Sequence, residues 1–94
     1  MKLIRSRQAD QDVEAIADYI AQDSPRSAVK WIDDVEDKLK SLAISPGMGR
    51  DRSDVLTDLR TFAFGKYLIC YRPISNGAEI LRVFHGARQW QDLL

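Results

Sequence analysis

Five side chains in the last third of the chain could grip or act on a phosphate: Arg60, Arg72, Arg82, His85 and Arg88. Arginine presents a planar fork of donors suited to phosphate and carboxylate, whereas lysine is a point charge. A histidine with arginine nearby can do general acid–base work on a phosphodiester, the guanidinium stabilising the charge of the pentacovalent centre. On that reading Arg60 and Arg82 hold phosphate and His85 moves a proton. Tyr67 and Tyr71 are further proton carriers, although such residues more often belong to a core or its rim. A lone histidine at a strand end is more often structural than catalytic, and three arginines on a sheet are more often simply solvated.

Other chemistries find less support. One histidine excludes a His-pair metal motif, and one cysteine, Cys70, excludes a disulfide framework and a cysteine-rich zinc site. Cys70 falls in a predicted strand, where a buried thiol is the simpler reading. Asp33, Asp34, Glu36 and Asp37 are dense, but Lys30–Asp34, Asp34–Lys38 and Glu36–Lys40 are i,i+4 pairs of a solvated helix face. Gly47-Met48-Gly49-Arg50 lacks the Lys-Ser/Thr ending of a phosphate loop. No metal site and no cofactor is expected.

The elements that position these residues follow from hydrophobic period. Residues 2–5 alternate and suit a first strand. Ala9, Val13, Ile16, Ala17 and Ile20 recur at helical spacing, which predicts a helix over 8–22. Ser24-Pro25 is a helix start, with serine at the N-cap and proline at N1. The second helix, 25–43, carries Ala28, Trp31, Ile32, Val35, Leu39 and Leu42 on one stripe. So short a connection folds the two helices into a hairpin. Residues 44–57 read as a loop. Beyond it the period changes to two, predicting strands over 58–64, 67–72 and 78–85, with turns at Gly65-Lys66 and Asn76-Gly77. Pro73 is expected to end the middle strand. Trp90, Leu93 and Leu94 suit one terminal helical turn.

The order β-α-α-β-β-β predicts an α+β two-layer sandwich, a helical hairpin packed on a mostly antiparallel sheet, in a single domain over residues 1–94. The first strand should lie beside the last. Within the alternation Arg60 shares a face with Phe62 and Phe64, and Arg82 with Ile80 and Phe84. Such arginines are expected to converge on an open sheet face or a strand end. Trp90, Leu93, Leu94 and the strand edges should be partly bare, which in a small protein points to a partner.

Composition narrows the partner. Lys+Arg and Asp+Glu both number 14, so the net charge is zero. That weakens a free-standing nucleic-acid binder, which normally carries a basic excess. The balance is uneven, with nine basic and eleven acidic residues over 1–57 and five basic and three acidic over 58–94. No apolar run approaches the ~18 residues of a membrane span. A cytoplasmic protein is expected.

The chain resembles the ParE/RelE toxin superfamily of bacterial toxin–antitoxin modules, and within it the ParE branch. Ala9, Asp12-Val13, Ile16 and Tyr19-Ile20 are similar to that family's Ala-x-x-Asp-Leu-x-x-Ile-x-x-Tyr helix pattern. Pro46, Gly49 and Arg50 resemble its Pro-x-x-Gly-Arg segment. Leu59-Arg60, Tyr67-Leu68-Ile69 and Tyr71 match the central hairpin, and Ile80, Arg82-Val83 and His85-Gly86-Ala87-Arg88 the closing strand. Gln89 stands where the family often has Asp, and Val13 where it prefers Leu. The resemblance implies the β-α-α-β-β-β sandwich and a cognate ParD-like antitoxin. For ParE-like members it implies a non-enzymatic poison that traps DNA gyrase on cleaved DNA. For RelE-like members it implies an endoribonuclease that cuts mRNA on the ribosome, in which Arg60, Arg82 and His85 would be the catalytic set. Charge neutrality favours the gyrase reading. Target-binding candidates are then Arg60, Arg72, Arg82, His85 and Arg88, and antitoxin-binding candidates are Trp31, Val35, Trp90 and Leu93. No membrane contact is expected, and no direct nucleic-acid contact by the chain alone.

Overall fold

The computed structural model describes residues 1–86 and 89–94. Strand β1 (Lys2–Arg5) leads into helix α1 (Arg7–Asp23), then α2 (Pro25–Ile44). A 3₁₀ turn at Pro46–Met48 precedes the two-residue strand β2 (Arg50–Asp51). Strands β3 (Arg60–Phe64), β4 (Tyr67–Ile74) and β5 (Gly77–His85) follow, and the 3₁₀ turn Trp90–Leu93 closes the chain. The sheet order is β1-β5-β4-β3-β2, with β1 parallel to β5 and every other pair antiparallel. The α+β sandwich and the placement of the first strand beside the last both match expectation. Strand β2 is an addition, formed inside the expected loop where Arg50 and Asp51 pair with Thr61 and Arg60.

Local chemistry explains the helix ends. Ser6 caps α1, its hydroxyl accepting from the Ala9 N–H at 2.9 Å. Ser24 caps α2 through the Ser27 N–H, with Pro25 just inside. Ala9, Val13 and Ile16 of α1 and Val35, Leu39 and Leu42 of α2 meet Ile69, Tyr71, Ile80 and Val83 of the sheet in one apolar layer.

Three strand boundaries differ from expectation, β5 by one residue, since it starts at Gly77. β3 starts at Arg60 rather than 58, because Asp58 takes a positive φ of 62° and turns the chain. β4 runs through Pro73 to Ile74. β3 begins opposite Tyr71, so Pro73 lies beyond that strand's start, where a missing N–H costs no ladder bond to it.

The alternation in β5 is also broken. Cys70 pairs with Arg82 and Tyr71 with Ile80, leaving Leu81 as an extra residue in a bulge. Ile80 and Val83 therefore join the helix-side core, whereas Phe84 joins a second cluster with Leu59, Cys70 and Trp90 on the far side. Arg82 does not share a face with Ile80 as the plain alternation implies.

At the same place β1 has ended, and α1 takes over the edge of β5. The Ser6 N–H donates to the Ile80 carbonyl at 3.0 Å, and the Ser6 hydroxyl to the Leu81 carbonyl at 2.7 Å. The Asp12 carboxylate accepts from the Val83 N–H at 2.9 Å and from Arg82 Nε and Nη2 at 2.8 and 3.0 Å. Both side chains are largely buried, with 17% of Asp12 and 20% of Arg82 accessible. Asp12→Ala is expected to lower stability by about 2–3 kcal/mol, since it leaves a mostly buried cation without its partner. Asp12→Asn, which keeps an acceptor for Val83, should cost less. Urea unfolding of the three proteins checks both.

Candidate partner-binding surface

The four candidate target-binding residues that the structure describes do not gather. Arg60 lies on the helix side of β3, directly opposite Tyr71. Its Nη1 donates to the Gly49 carbonyl at 2.7 Å and reaches the Gly47 carbonyl at 3.5 Å. Arg72 sits on β4 and donates to Glu79 Oε1 of β5 from Nε at 3.2 Å and from Nη2 at 2.7 Å. Arg82 is held by Asp12, whose hydrogen bonds raise its pKa still further above neutrality. His85 ends β5 and is exposed. Arg88 lies outside the described residues. The expected convergence of Arg60, Arg72 and Arg82 on an open face is therefore corrected: each guanidinium is committed to its own partner, because burying a fork of donors beside apolar neighbours demands acceptors.

The nuclease set is dispersed in the same way. His85 pairs with Tyr67 at one end of the β4–β5 ladder, and Arg60 pairs with Tyr71 four residues along β4. Four residues of strand separate them by about 13 Å before the interstrand distance is added. Arg82 lies on the other face of the sheet, opposite Cys70, and is paired with Asp12. Cys70 offers no nucleophile, since burial pushes its thiol up to about 12. Among the described residues no group of His, Cys, Asp or Glu is placed to hold a metal ion.

What His85 does join is a row of rings. Its imidazole lies 5.9 Å from Tyr19 and 5.0 Å from Tyr67, and Tyr67 lies 5.1 Å from Trp31. Burial of Tyr67 pushes its phenol pKa up. Tyr19 is 61% exposed, and Val29 on α2 is 60% exposed. These large side chains sit at the end of the helical hairpin where α1 hands over to α2. Periodicity passes over Tyr19 because it lies just off the buried stripe of α1. Its sequence signal is a large aromatic flanking an otherwise polar helix face.

The four antitoxin candidates divide. Trp31 is half-buried against the core. Leu93 is 41% exposed. Val35 is completely buried, and Trp90 is only 9% exposed. Neither of the last two can meet a partner in this conformation, which corrects both expectations. Val35 points into the layer between hairpin and sheet. Trp90 covers Leu59, Cys70 and Phe84, so the tail expected to be bare is partly tucked away.

Between helices and sheet rim, the loop 46–50 is fixed by a residue that sequence reasoning left as core. Tyr71 is fully buried, but its hydroxyl donates to the Pro46 carbonyl at 2.7 Å and accepts from the Gly49 N–H at 2.8 Å. Arg60 then takes the Gly49 carbonyl. A Cβ at position 49 would lie 2.5 Å from the Tyr71 hydroxyl and 2.8 Å from the Thr61 carbonyl, so glycine is required by space.

This arrangement matches known proteins over nearly its whole length. Residues 3–90 fit the model of a family described as the ParE toxin of type II toxin–antitoxin system, parDE. The chain belongs to the ParE toxin family. Toxin ParE3 of Caulobacter vibrioides is 29% identical over 86 residues, which is 90% of this chain and 86% of that protein. The putative toxin Y4kP of Sinorhizobium fredii is 33% identical over 82 residues, 87% of this chain and 84% of the relative. A solved structure of the chromosomal ParDE TA system from P. aeruginosa superposes with a TM-score of 0.76 at 26% identity, covering 93% of this chain and 97% of that one. In this ParE-family chain the helix pattern around Asp12 and the Pro46–Arg50 segment thus have structural roles: the first closes the edge of β5, and the second closes over Tyr71.

Tyr71→Phe is expected to cost about 1–3 kcal/mol, because it leaves the Gly49 N–H and the Pro46 carbonyl without their partner. Gly49→Ala should cost at least as much by steric conflict with the same hydroxyl. In Tyr71→Phe, hydrogen exchange at the Gly49 amide should accelerate more than exchange in α1, a contrast that a uniform loss of stability would not produce.

Proposed function

We propose that this chain is a growth-arresting toxin that acts on DNA gyrase in the cytoplasm and is neutralised by a ParD-like antitoxin. Membership of the ParE family supports a toxin. The observation that carries the choice of target is the dispersal of Arg60, Arg82 and His85. Phosphodiester cleavage needs its proton carrier and its phosphate clamps on one phosphate, within hydrogen-bond reach of it. Here the two guanidinium groups hold the chain's own carbonyls and carboxylate, and the imidazole stacks on tyrosines at another end of the sheet. A molecule so arranged acts by occupying a surface of its target. Charge neutrality agrees, since a direct hold on nucleic acid would call for a basic excess.

The antitoxin surface we infer is the end of the helical hairpin with Tyr19, Val29 and the rim of Trp31, together with the outer edge of β1, where Met1 and Ile4 are exposed. Edge strands and bare aromatic side chains are the usual seats of added strands and amphipathic segments.

Induced expression should arrest growth, and co-expression of a cognate ParD-like antitoxin should restore it. Purified protein should inhibit gyrase supercoiling and stabilise cleaved DNA. His85→Ala should retain growth arrest to within about threefold, because a stacking contact of this kind is worth only ~0.5–1.5 kcal/mol. Codon-dependent cuts in translated mRNA, lost with His85→Ala, would instead identify a ribosome-dependent nuclease.

A further inference from the structure

The sheet face away from the helices is covered by a different kind of structure from the face beneath them. Trp90 seats its ring on Leu59, Cys70 and Phe84, with Val55, Leu68 and Leu81 around them. The Arg52 guanidinium lies 4.9 Å from the centre of the same ring. The Leu93 carbonyl accepts from Arg82 Nη1 at 3.2 Å. Leu93 and Leu94 rest at the mouth of a cleft of about 290 Å³ between Leu56, Leu81 and Ser6. The Trp90–Leu93 turn is not one of the five strands of the sheet. Its backbone bonding is local, as in Asp92 N–H to the Gln89 carbonyl at 3.2 Å. Among the described residues, one ring, one stacked cation, one hydrogen bond and the leucines at the cleft hold it down, where both helices are held by a continuous apolar layer.

We infer that Trp90–Leu93 is a latch that lifts from the sheet as a local event, with helices and strands still folded, and bares the apolar strip of Leu59, Cys70 and Phe84. Segments that make no ladder bonds to a sheet open at a free energy below that of global unfolding, because they break few contacts. Arg82 ties this latch to the rest of the fold, since the guanidinium that reaches the Leu93 carbonyl is itself fixed by Asp12. The exposure of a second apolar face is thus set by the latch equilibrium. This holds whatever the toxin's target.

Cys70 reports on the latch. It is fully buried beneath Trp90, and its thiol is held protonated by burial, so it is inert while the latch is shut. The full-length protein is exposed to Ellman's reagent at pH 8 in increasing urea below the unfolding transition. Cys70 should react at least tenfold faster than global unfolding allows, with a urea dependence well under the full equilibrium m-value. Trp90→Ala should raise the rate in water at least tenfold while the helical circular dichroism is unchanged. A labelling rate in the wild-type chain that follows global unfolding with the full m-value overturns the latch. So does a folded Trp90→Ala protein that labels no faster. If Trp90→Ala does not fold, the urea dependence of the wild-type chain decides by itself.

Discussion

Where β1 stops at Arg5, β5 continues for several residues, and its polar groups on that side still need partners. Strand pairing cannot supply them, and buried backbone groups left unpaired are costly. The chain meets the demand with side chains of the first helix: Ser6 takes the Leu81 carbonyl, and Asp12 takes the Val83 N–H. This fixes the helix against the strand at one angle and one register. It also draws Arg82 into the pair, since a carboxylate placed in a largely buried edge needs a cation. The bulge at Leu81 is the geometric counterpart. It turns Ile80 and Val83 toward the helices and leaves Arg82 able to reach Asp12 around the edge. Helix packing, core composition and the fate of the most conspicuous arginine all depend on this one contact.

The same principle governs three other arginines. Arg60 closes the 46–50 loop by holding its carbonyls. Arg5 links Asp10 of α1 to Glu36 of α2, and Arg72 bridges two strands through Glu79. A protein with equal numbers of acidic and basic side chains can place its arginines as internal connectors. A protein that must grip phosphate has to keep them free, at the cost of a surplus of positive charge. Neutral composition and these paired guanidinium groups are therefore two views of one fact.

Much of this was legible in the sequence. The helices show in the spacing of Ala9, Val13, Ile16 and Ile20, and in the Ser24-Pro25 start, because burial on one face imposes a 3.6-residue period. The final strand, Gly77–His85, is mostly apolar, as a strand flanked on both sides must be. The bulge was not legible. One extra residue leaves composition unchanged, and only the pairing partner across the ladder reveals which of Ile80, Leu81 and Arg82 has slipped. The shared face of Ile80 and Arg82 is what the plain alternation gets wrong, whereas Arg82 and Phe84 do lie together. Trp90 failed for a related reason. A terminal aromatic looks bare in sequence, and the hydrophobic pocket that receives it is built from Val55, Leu59 and Phe84, scattered over thirty residues. Site residues of the Tyr19 kind escape periodic analysis because exposure of an apolar ring is a departure from the pattern.

A sheet with two apolar faces must cover both, and the two covers here differ in how they are made. The helical hairpin is continuous with β1 and anchored by the Asp12 contact, so removing it means unfolding the protein. Among the described residues, loop residues 52–59 and the terminal turn shield the far face. Loop 52–59 is braced by Arg52, which holds Asp54 through two 3.0 Å hydrogen bonds while stacking on Trp90. The Arg52 N–H also donates to the Leu59 carbonyl at 2.8 Å. Arg52 therefore joins the loop to the tail, so a partner that engages either alters the other. A chain this small offers few independent surfaces. Its weakest cover thus lies over an apolar strip, on the face away from the rigid helical hairpin.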